Sequence, residues 1–186
     1  MKALVVYESM FENTEQVARA IATGLKPFAD VDVHDVGAVS PQAGERVDVI
    51  VAGGPTHAFS MTRPATREDA VRQGATHGAK SSGLREWLEG LGPGPHPQLV
   101  AAFDTRVEKV RHLPGSAARS AGKALRHLGY AAAASPESFY VTDTAGPLVD
   151  GELDRAHAWG AHIGAEAQAR LDVADQYGRS PSYRRR

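Results

Sequence analysis

The chain has 186 residues, more than the roughly 100 to 150 of a typical domain and too few for two, which predicts one domain with added segments. Its formal net charge of −1 provides no overall field that would favour nucleic acid or an anionic membrane as a partner. The absence of cysteine excludes disulfides and thiolate metal sites. Because no stretch approaches the about 20 apolar residues of a membrane span and no secretion signal opens the chain, we expect a cytoplasmic protein.

Apolar strands alternate with helical segments along the chain. Continuous apolar runs are typical of parallel strands that are covered on both faces, whereas alternation of valine with polar residues indicates an edge strand. The first, third and fourth runs are of the continuous type, and the second alternates. The predicted strands are residues 3–7, 31–36, 47–52, 99–103 and, interrupted by Pro136, 131–134 with 139–141.

Helical spacing of apolar residues follows most of these strands. The predicted helices cover residues 17–25, 84–91, 116–128 and 153–171, with Ser82 as the expected cap of the second. The segment from Ser60 to Lys80 is longer than a usual connection, and we expect a short helix there, at Thr66 to Asp69, that acts as a lid or a dimer contact. The apolar pattern ends at residue 171, which predicts a domain over residues 1–171 and a flexible tail over residues 172–186.

Five strands separated by helices predict a doubly wound α/β fold with a parallel sheet. In the strand order 2-1-3-4-5 the winding reverses between strands one and three, and ligands bind at the carboxyl ends of the strands beside that point. The rule selects three loops, which are residues 8–14, residues 53–62 and the residues that follow Phe103.

The first of these loops carries hydroxyl and amide side chains and runs directly into a helix. A helix N-terminus offers unpaired amides and a partial positive charge, so this loop is suited to hold a phosphate dianion. The alternative is that Asn13 or Thr14 only caps the helix. The candidate binding residues are Ser9, Met10, Phe11, Asn13 and Thr14.

The second loop follows two glycines, Gly53 and Gly54, which permit close approach of a ligand to the backbone. His57 and Phe59 are placed to lie against a flat ring, and the alternative is a tight turn with Phe59 in the core. The candidates in this loop are Pro55, Thr56, His57, Ala58 and Phe59, and those in the third loop are Asp104, Thr105 and Arg106.

Residues 5–15 resemble the opening strand and phosphate loop of flavodoxins, where a loop rich in Ser and Thr holds the phosphate of flavin mononucleotide (FMN). The run Gly-Gly-Pro-Thr-His-Ala-Phe at residues 53–59 is similar to the flavin-contacting loop of flavodoxin-like reductases. The resemblance implies a flavodoxin-like three-layer sandwich that binds FMN. It further implies electron transfer or oxidoreduction, with a redox partner protein or a small-molecule electron acceptor.

Two features depart from the flavodoxin pattern. Glu12 stands where the family usually has glycine, so we expect a left-handed backbone that costs about 1 to 2 kcal/mol and a carboxylate that repels the phosphate. Both effects predict weaker FMN binding. The chain is also nearly neutral, whereas flavodoxins that carry electrons are typically acidic, so steering toward a basic partner is less expected.

Several functional interpretations remain open. Arg106 is a candidate for tuning the flavin potential, and the alternative is a solvated arginine in a salt bridge. Arg63 and Arg67 are candidates for a nicotinamide nucleotide phosphate, with a solvated helix face as the alternative. We assign no catalytic residue and no metal ligand, since His157 and His162 do not share a helix face. The alternatives to a flavoprotein are a flavin-free binding or regulatory module and unrelated small-molecule catalysis in the same crevice.

Overall fold

The computed structural model describes residues 1–72, 74–75 and 82–178. The strands are β1 (Lys2–Tyr7), β2 (Asp30–Asp35), β3 (Val49–Pro55), β4 (Leu99–Val107), β5 (Ala131–Ala132) and β6 (Glu137–Val141). The α-helices are α1 (Asn13–Leu25), α2 (Pro64–Arg72), α3 (Leu84–Glu89), α4 (Ala117–His127) and α5 (Glu152–Gly178). Two short 3₁₀ helices cover Pro41–Arg46 and Glu108–Val110.

The strands form one parallel sheet in the order β2-β1-β3-β4-β5, which confirms the predicted order. The predicted fifth strand consists of two segments, because β5 pairs with the start of β4 and β6 pairs with its end. Tyr7 lies opposite Gly53, and Gly53 lies opposite Phe103. The carboxyl ends of β1, β3 and β4 are therefore aligned at one edge.

Helices cover both faces of the sheet. On one face Ile21 of α1 and Ile163 of α5 are fully buried against inward-facing strand residues such as Val5. On the other face Trp87 of α3 and Leu125 of α4 pack in a second apolar cluster. These two cores make the predicted three-layer sandwich.

Two helix ends differ from the sequence-based prediction. Helix α5 runs through Gly178, past the predicted helix end at residue 171, and residues 179–186, which belong to the predicted tail, lie outside the described part of the chain. A helix can extend past its apolar stripe because, once it is nucleated, each added residue fixes only its own backbone and gains one hydrogen bond. Ser82 does not cap α3. Gly83 precedes the helix, and its amide donates to the Glu86 carboxylate at 2.8 Å.

Among the described helices, none combines the length and the apolar character needed to cross a membrane.

Candidate functional site

A cavity of about 330 Å³ opens at the carboxyl edge of the sheet, where the loops after β1, β3 and β4 meet. This volume is within the roughly 300 to 1,000 Å³ of typical small-molecule sites. Most of the residues predicted from the sequence line it together. They are Met10, Phe11, Asn13, Thr14, Pro55, Thr56, His57, Ala58, Thr105 and Arg106.

Glu12 has the left-handed backbone that was expected of a residue replacing glycine. Its φ is 64°, and it immediately precedes Asn13, the first residue of α1. Its carbonyl accepts the amide of Gln16 at 3.0 Å, the first hydrogen bond of the helix. A non-glycine residue in this conformation costs about 1 to 2 kcal/mol, so the entry to α1 is strained.

The polar side chains of the first loop are used in different ways. Neither Asn13 nor Thr14 caps α1, since Asn13 Nδ2 donates to the Ala145 carbonyl at 3.1 Å and Thr14 Oγ1 lies 2.7 Å from Thr105 Oγ1. These bonds tie α1 to the loop after β6 and to β4. The alternative interpretation, in which Asn13 or Thr14 only caps the helix, is therefore wrong.

Ser9 does not line the cavity. It is buried behind the loop, and its Oγ accepts the amide of Glu15 at 3.3 Å. This bond satisfies one of the free amides in the first turn of α1. Ser9 therefore helps to shape the loop that is the candidate phosphate site, but it does not face the cavity.

The second loop forms a tight turn closed by His57 and Ser60, whose backbones exchange hydrogen bonds of 3.0 and 3.1 Å. Ala58 and Phe59 both have positive φ, 45° and 61°. Phe59 is 47% exposed and does not line the cavity, so the alternative that places it in the core is wrong, while the flavin contact stays a prediction. Two consecutive left-handed residues turn its side chain outward, which no local sequence pattern indicates.

His57 lines the cavity and is partly buried. Burial lowers the pKa of His57 from its ordinary value, because desolvation penalises the charged imidazolium. The imidazole is therefore neutral at physiological pH. A neutral ring offers a flat face and one acceptor nitrogen to a ligand without adding charge to the site.

The polar residues of the third loop have different roles. Asp104 is fully buried and does not line the cavity; its Oδ2 accepts the amide of Ala118 at 2.8 Å, in the first turn of α4. The interpretation of Arg106 as a solvated residue in a salt bridge is wrong. Arg106 is 6% exposed, and its Nη2 donates to the carbonyls of Val110 at 2.6 Å and Leu113 at 3.3 Å.

Two buried polar atoms at this edge lack a hydrogen-bond partner within the described residues. They are Asp104 Oδ1 and Arg106 Nε. Buried polar atoms without partners are rare in folded proteins and point to a missing water, ion or ligand group. Arg106 also lines the cavity, so it brings a positive charge to the site, although its Nε is itself buried.

Helix α2, within the long segment from Ser60 to Lys80, forms a wall of the cavity that the binding-site prediction missed. Thr66, Asp69 and Ala70 face the space, at the spacing of one helix face. The predicted short helix is therefore present, and it contributes to the site. Its mixed polar sequence gave no signal of which face would turn inward.

Helix α2 is fixed by a buried arginine. Arg67 is fully buried, which contradicts both interpretations made for it, a phosphate contact and a solvated helix face. Its guanidinium binds the two carboxylate oxygens of Glu86 at 3.2 and 3.1 Å and donates to Thr62 Oγ1 at 3.1 Å. Paired donors of this kind match a carboxylate in both charge and shape.

Glu8, the first residue after β1, completes this buried cluster. Its carboxylate accepts the Thr62 hydroxyl at 2.6 and 2.8 Å and the amide of Leu84 at 2.9 Å. Burial raises the pKa of Glu8, an effect that these hydrogen bonds and Arg67 only partly oppose. For Glu86, which is closer to solvent, the bonds from Arg67 and the Gly83 amide outweigh desolvation and lower the pKa.

Comparison with solved structures finds flavodoxins and related domains. A flavodoxin from the Archaea matches with a TM-score of 0.62 and 20% sequence identity over 90% of this chain and 99% of that protein. Oxidised flavodoxin 2 of Bacillus cereus matches with a TM-score of 0.65 and 17% identity over 89% of this chain and 99% of that protein. Rubredoxin oxygen:oxidoreductase of Desulfovibrio gigas matches at 0.61 and 16% identity over 91% of this chain and 37% of that chain.

No protein-family model matches the sequence, and no curated protein sequence matches it significantly. The structural matches and the strand order define a flavodoxin-like α/β protein with a cavity at the topological switch point. At this level of identity the similarity establishes the fold and leaves the ligand to be argued from the residues of the site.

Proposed function

We propose that this chain binds FMN in the cavity at the carboxyl edge and acts in electron transfer or oxidoreduction. The observation that carries the proposal is the convergence of the α1 N-terminus with the turn after β3 on one cavity. The flavodoxins and flavodiiron proteins among its structural neighbours support a flavin as the ligand class. A redox partner protein or a small-molecule electron acceptor would then exchange electrons with the site.

The phosphate of FMN would occupy the start of α1, beside Asn13 and Thr14. The 13-residue helix places its partial positive charge there, which favours an anion. Glu12 opposes this binding through its negative charge. We therefore propose that the phosphate is held more weakly than it would be beside glycine.

The ring system would lie between the turn after β3 and the loop after β4. Pro55, Thr56 and Ala58 offer backbone and small side chains there, and His57 offers a neutral ring. When bound, FMN supplies the electron chemistry, and nearby groups of the protein set its potential. Arg106 is proposed for that role because it is the cation that lines the cavity among the described residues, and replacing it by glutamine should lower the flavin potential.

Titration of the apoprotein with FMN tests the proposal. Binding should quench flavin fluorescence with one site per chain, and the purified protein should release flavin absorbance on denaturation if it retains the cofactor. Thr14→Val removes a hydroxyl from the phosphate end and should weaken binding, whereas Thr23→Val, on the exposed part of the same helix, should not.

One observation favours a second candidate, a flavin-free binding or regulatory module. Glu12 combines a negative charge with a strained backbone at the position where a phosphate would bind. Colourless protein that also fails to take up added FMN would support this candidate. The expected cytoplasmic location remains a prediction under either function.

A further inference from the structure

Two exposed apolar side chains are carried by adjacent loops at one rim of the cavity. Phe59 is 47% exposed on the turn after β3, and Leu113 is 46% exposed on the loop after β4. The two loops are in contact, since a Cβ added to Gly115 would meet the Phe59 carbonyl at 2.7 Å and its Cβ at 3.1 Å. Arg106, which lines the cavity, donates a hydrogen bond to the Leu113 carbonyl at 3.3 Å. Both apolar side chains thus belong to loops that adjoin the cavity.

The exposure of Phe59 is maintained at a cost. Its own φ of 61° and the φ of 45° at Ala58 each place a non-glycine residue in the left-handed region. Such residues lower stability by about 1 to 2 kcal/mol each, and strained backbone concentrates at functional sites. A single exposed apolar side chain is ordinary, but one presented by a strained turn beside a second one indicates a contact surface.

The chain segments that carry these two side chains are basic, in contrast with the chain as a whole. Residues 57–63 and 108–119 contain four Lys or Arg residues and one acidic residue, a local net charge of +3 with histidine neutral, against −1 for the full chain. The basic residues are Arg63, Lys109, Arg111 and Arg119, all exposed. Glu108, the acidic residue, pairs with Arg111 at 2.8 Å. The start of α4, which carries Arg119, adjoins the turn because Ser120 Oγ lies 3.2 Å from Ser60 Oγ.

We propose that Phe59, Leu113 and these four basic residues form a docking surface for an acidic redox protein. An apolar centre surrounded by polar and charged groups is the usual build of a protein interface, and the charge selects a partner of opposite sign. The proposal rests on the proposed function, since docking here would bring the partner beside the flavin cavity. Exposed Glu12 and Asp143 belong to the loops after β1 and β6, which Asn13 and Ala145 join by a hydrogen bond, so an acidic partner is favoured on the side of the loops after β3 and β4.

The test uses an acidic plant-type ferredoxin, labelled with a fluorescent dye, as the probe. Its anisotropy is followed as the full-length protein without FMN is added at increasing salt concentrations. Binding should weaken steadily as salt rises. Lys109→Glu with Arg111→Glu should weaken it tenfold or more. Lys123→Glu with Arg126→Glu, on the exposed C-terminal half of α4, makes the same change in net charge and should change affinity less than twofold.

The apolar centre is tested separately with Phe59→Asn and Leu113→Asn. Asparagine tolerates the left-handed region, so the turn should be retained. Affinity for the ferredoxin should fall several-fold while the slope of its salt dependence stays unchanged. Wild-type protein that does not bind the ferredoxin, or control variants that lose as much affinity as the rim variants, would overturn the proposal. Because this assay uses no flavin, FMN titration of the same proteins reports independently on the proposed function.

Discussion

The α1–α5 interface and the carboxyl edge of the sheet are built in contrasting ways. Between the helices, backbones touch: a Cβ on Gly24 would lie 2.0 Å from the His157 carbonyl, and one on Gly160 would lie 2.2 Å from the Ile21 carbonyl. Among the described residues, no non-glycine residue of that interface has a positive φ. At the carboxyl edge, left-handed residues, buried charges and unpartnered polar atoms occur together around the cavity.

In this domain, the residues that supply most of the stability and the residues that form the candidate site therefore lie in different regions. Close packing of apolar surface supplies the stability, and removing a group from it leaves only a cavity. Strain and buried charge reduce stability, and they persist where the surrounding structure holds them in place. Mutations in the α1–α5 interface should therefore change the free energy of unfolding alone. Mutations at the carboxyl edge should change both the free energy of unfolding and the affinity for a ligand.

The largest expected effect comes from Arg67→Met. The variant leaves the buried Glu8 and the partly buried Glu86 without their cation, and breaking a buried charge pair typically costs about 3 to 5 kcal/mol. We expect a loss of about 3 kcal/mol in the free energy of unfolding by urea denaturation, together with weaker FMN binding because α2 lines the cavity. Arg63→Met, at an exposed position, should change stability by less than about 0.5 kcal/mol. Equal effects of the two variants would show that the buried cluster does not anchor α2.

Gly24→Ala should be next in size and should affect folding alone. Alanine gains up to about 1 kcal/mol of helix propensity over glycine, but its Cβ meets backbone atoms that cannot rotate away. Overpacking of this kind costs about 1 to 3 kcal/mol, so we expect a net loss of stability in thermal or urea denaturation. FMN affinity of the folded protein should not change. Gln16→Ala, on the exposed face of the same helix, serves as the control, and a stabilised Gly24→Ala protein would contradict the close packing.

Much of the fold was predictable from the sequence because its signals are local. The apolar run ending at Tyr7 and the glycines after Ala52 mark two aligned strand ends, and the polar loop before α1 marks a site. The strain at Glu12 was also predictable, since glycine was expected there. The burial of Arg67 was not, because it depends on Glu86 and on Glu8, which lie far away in the sequence.

The exposed position of Phe59 could not be predicted from the sequence either. An aromatic residue after an apolar strand usually joins the core, and only the two consecutive left-handed residues place it at the surface. The cavity wall formed by α2 was missed for a related reason. Thr66, Asp69 and Ala70 lack the apolar stripe that identifies a buried helix face, and the contact depends on how Arg67 docks the helix.

Glu12→Gly tests how the strained edge limits ligand binding. Glycine removes both the left-handed penalty and the negative charge, so FMN should bind roughly tenfold more tightly or better, which corresponds to about 1.4 kcal/mol. Glu12→Gln removes only the charge and should recover part of the gain. Both are measured by fluorescence titration. If the glycine variant bound FMN no more tightly than the wild type, neither charge nor strain at this position would weaken binding.

The smallest effect is a pH dependence at Glu8. Burial raises the pKa of Glu8 above its ordinary 4.5. Between these two pKa values the folded protein keeps a proton on Glu8 that the unfolded chain has released. Protonated Glu8 therefore stabilises the fold at low pH, and this contribution is lost as pH rises through the raised pKa. Glu8→Gln lacks this titration. The stability of the variant relative to the wild type should therefore increase from pH 4 to pH 8 in denaturation experiments.

A difference that stayed constant over this range would show that Glu8 does not titrate between the two states. The lowered pKa of Glu86 acts in the opposite direction, with a stabilising contribution present at neutral pH and lost as pH falls. Since Glu86 is present in both proteins, its contribution largely cancels in the comparison.

Amide chemical-shift mapping shows whether the α1 N-terminus and the turn after β3 jointly hold FMN. Isotope-labelled apoprotein is titrated with FMN while the backbone amide signals are followed. We expect saturable shifts that are largest at Asn13 and Thr14, at residues 56–58, and at Thr105 and Arg106. An absence of shifts, or shifts centred elsewhere on the domain, would contradict it.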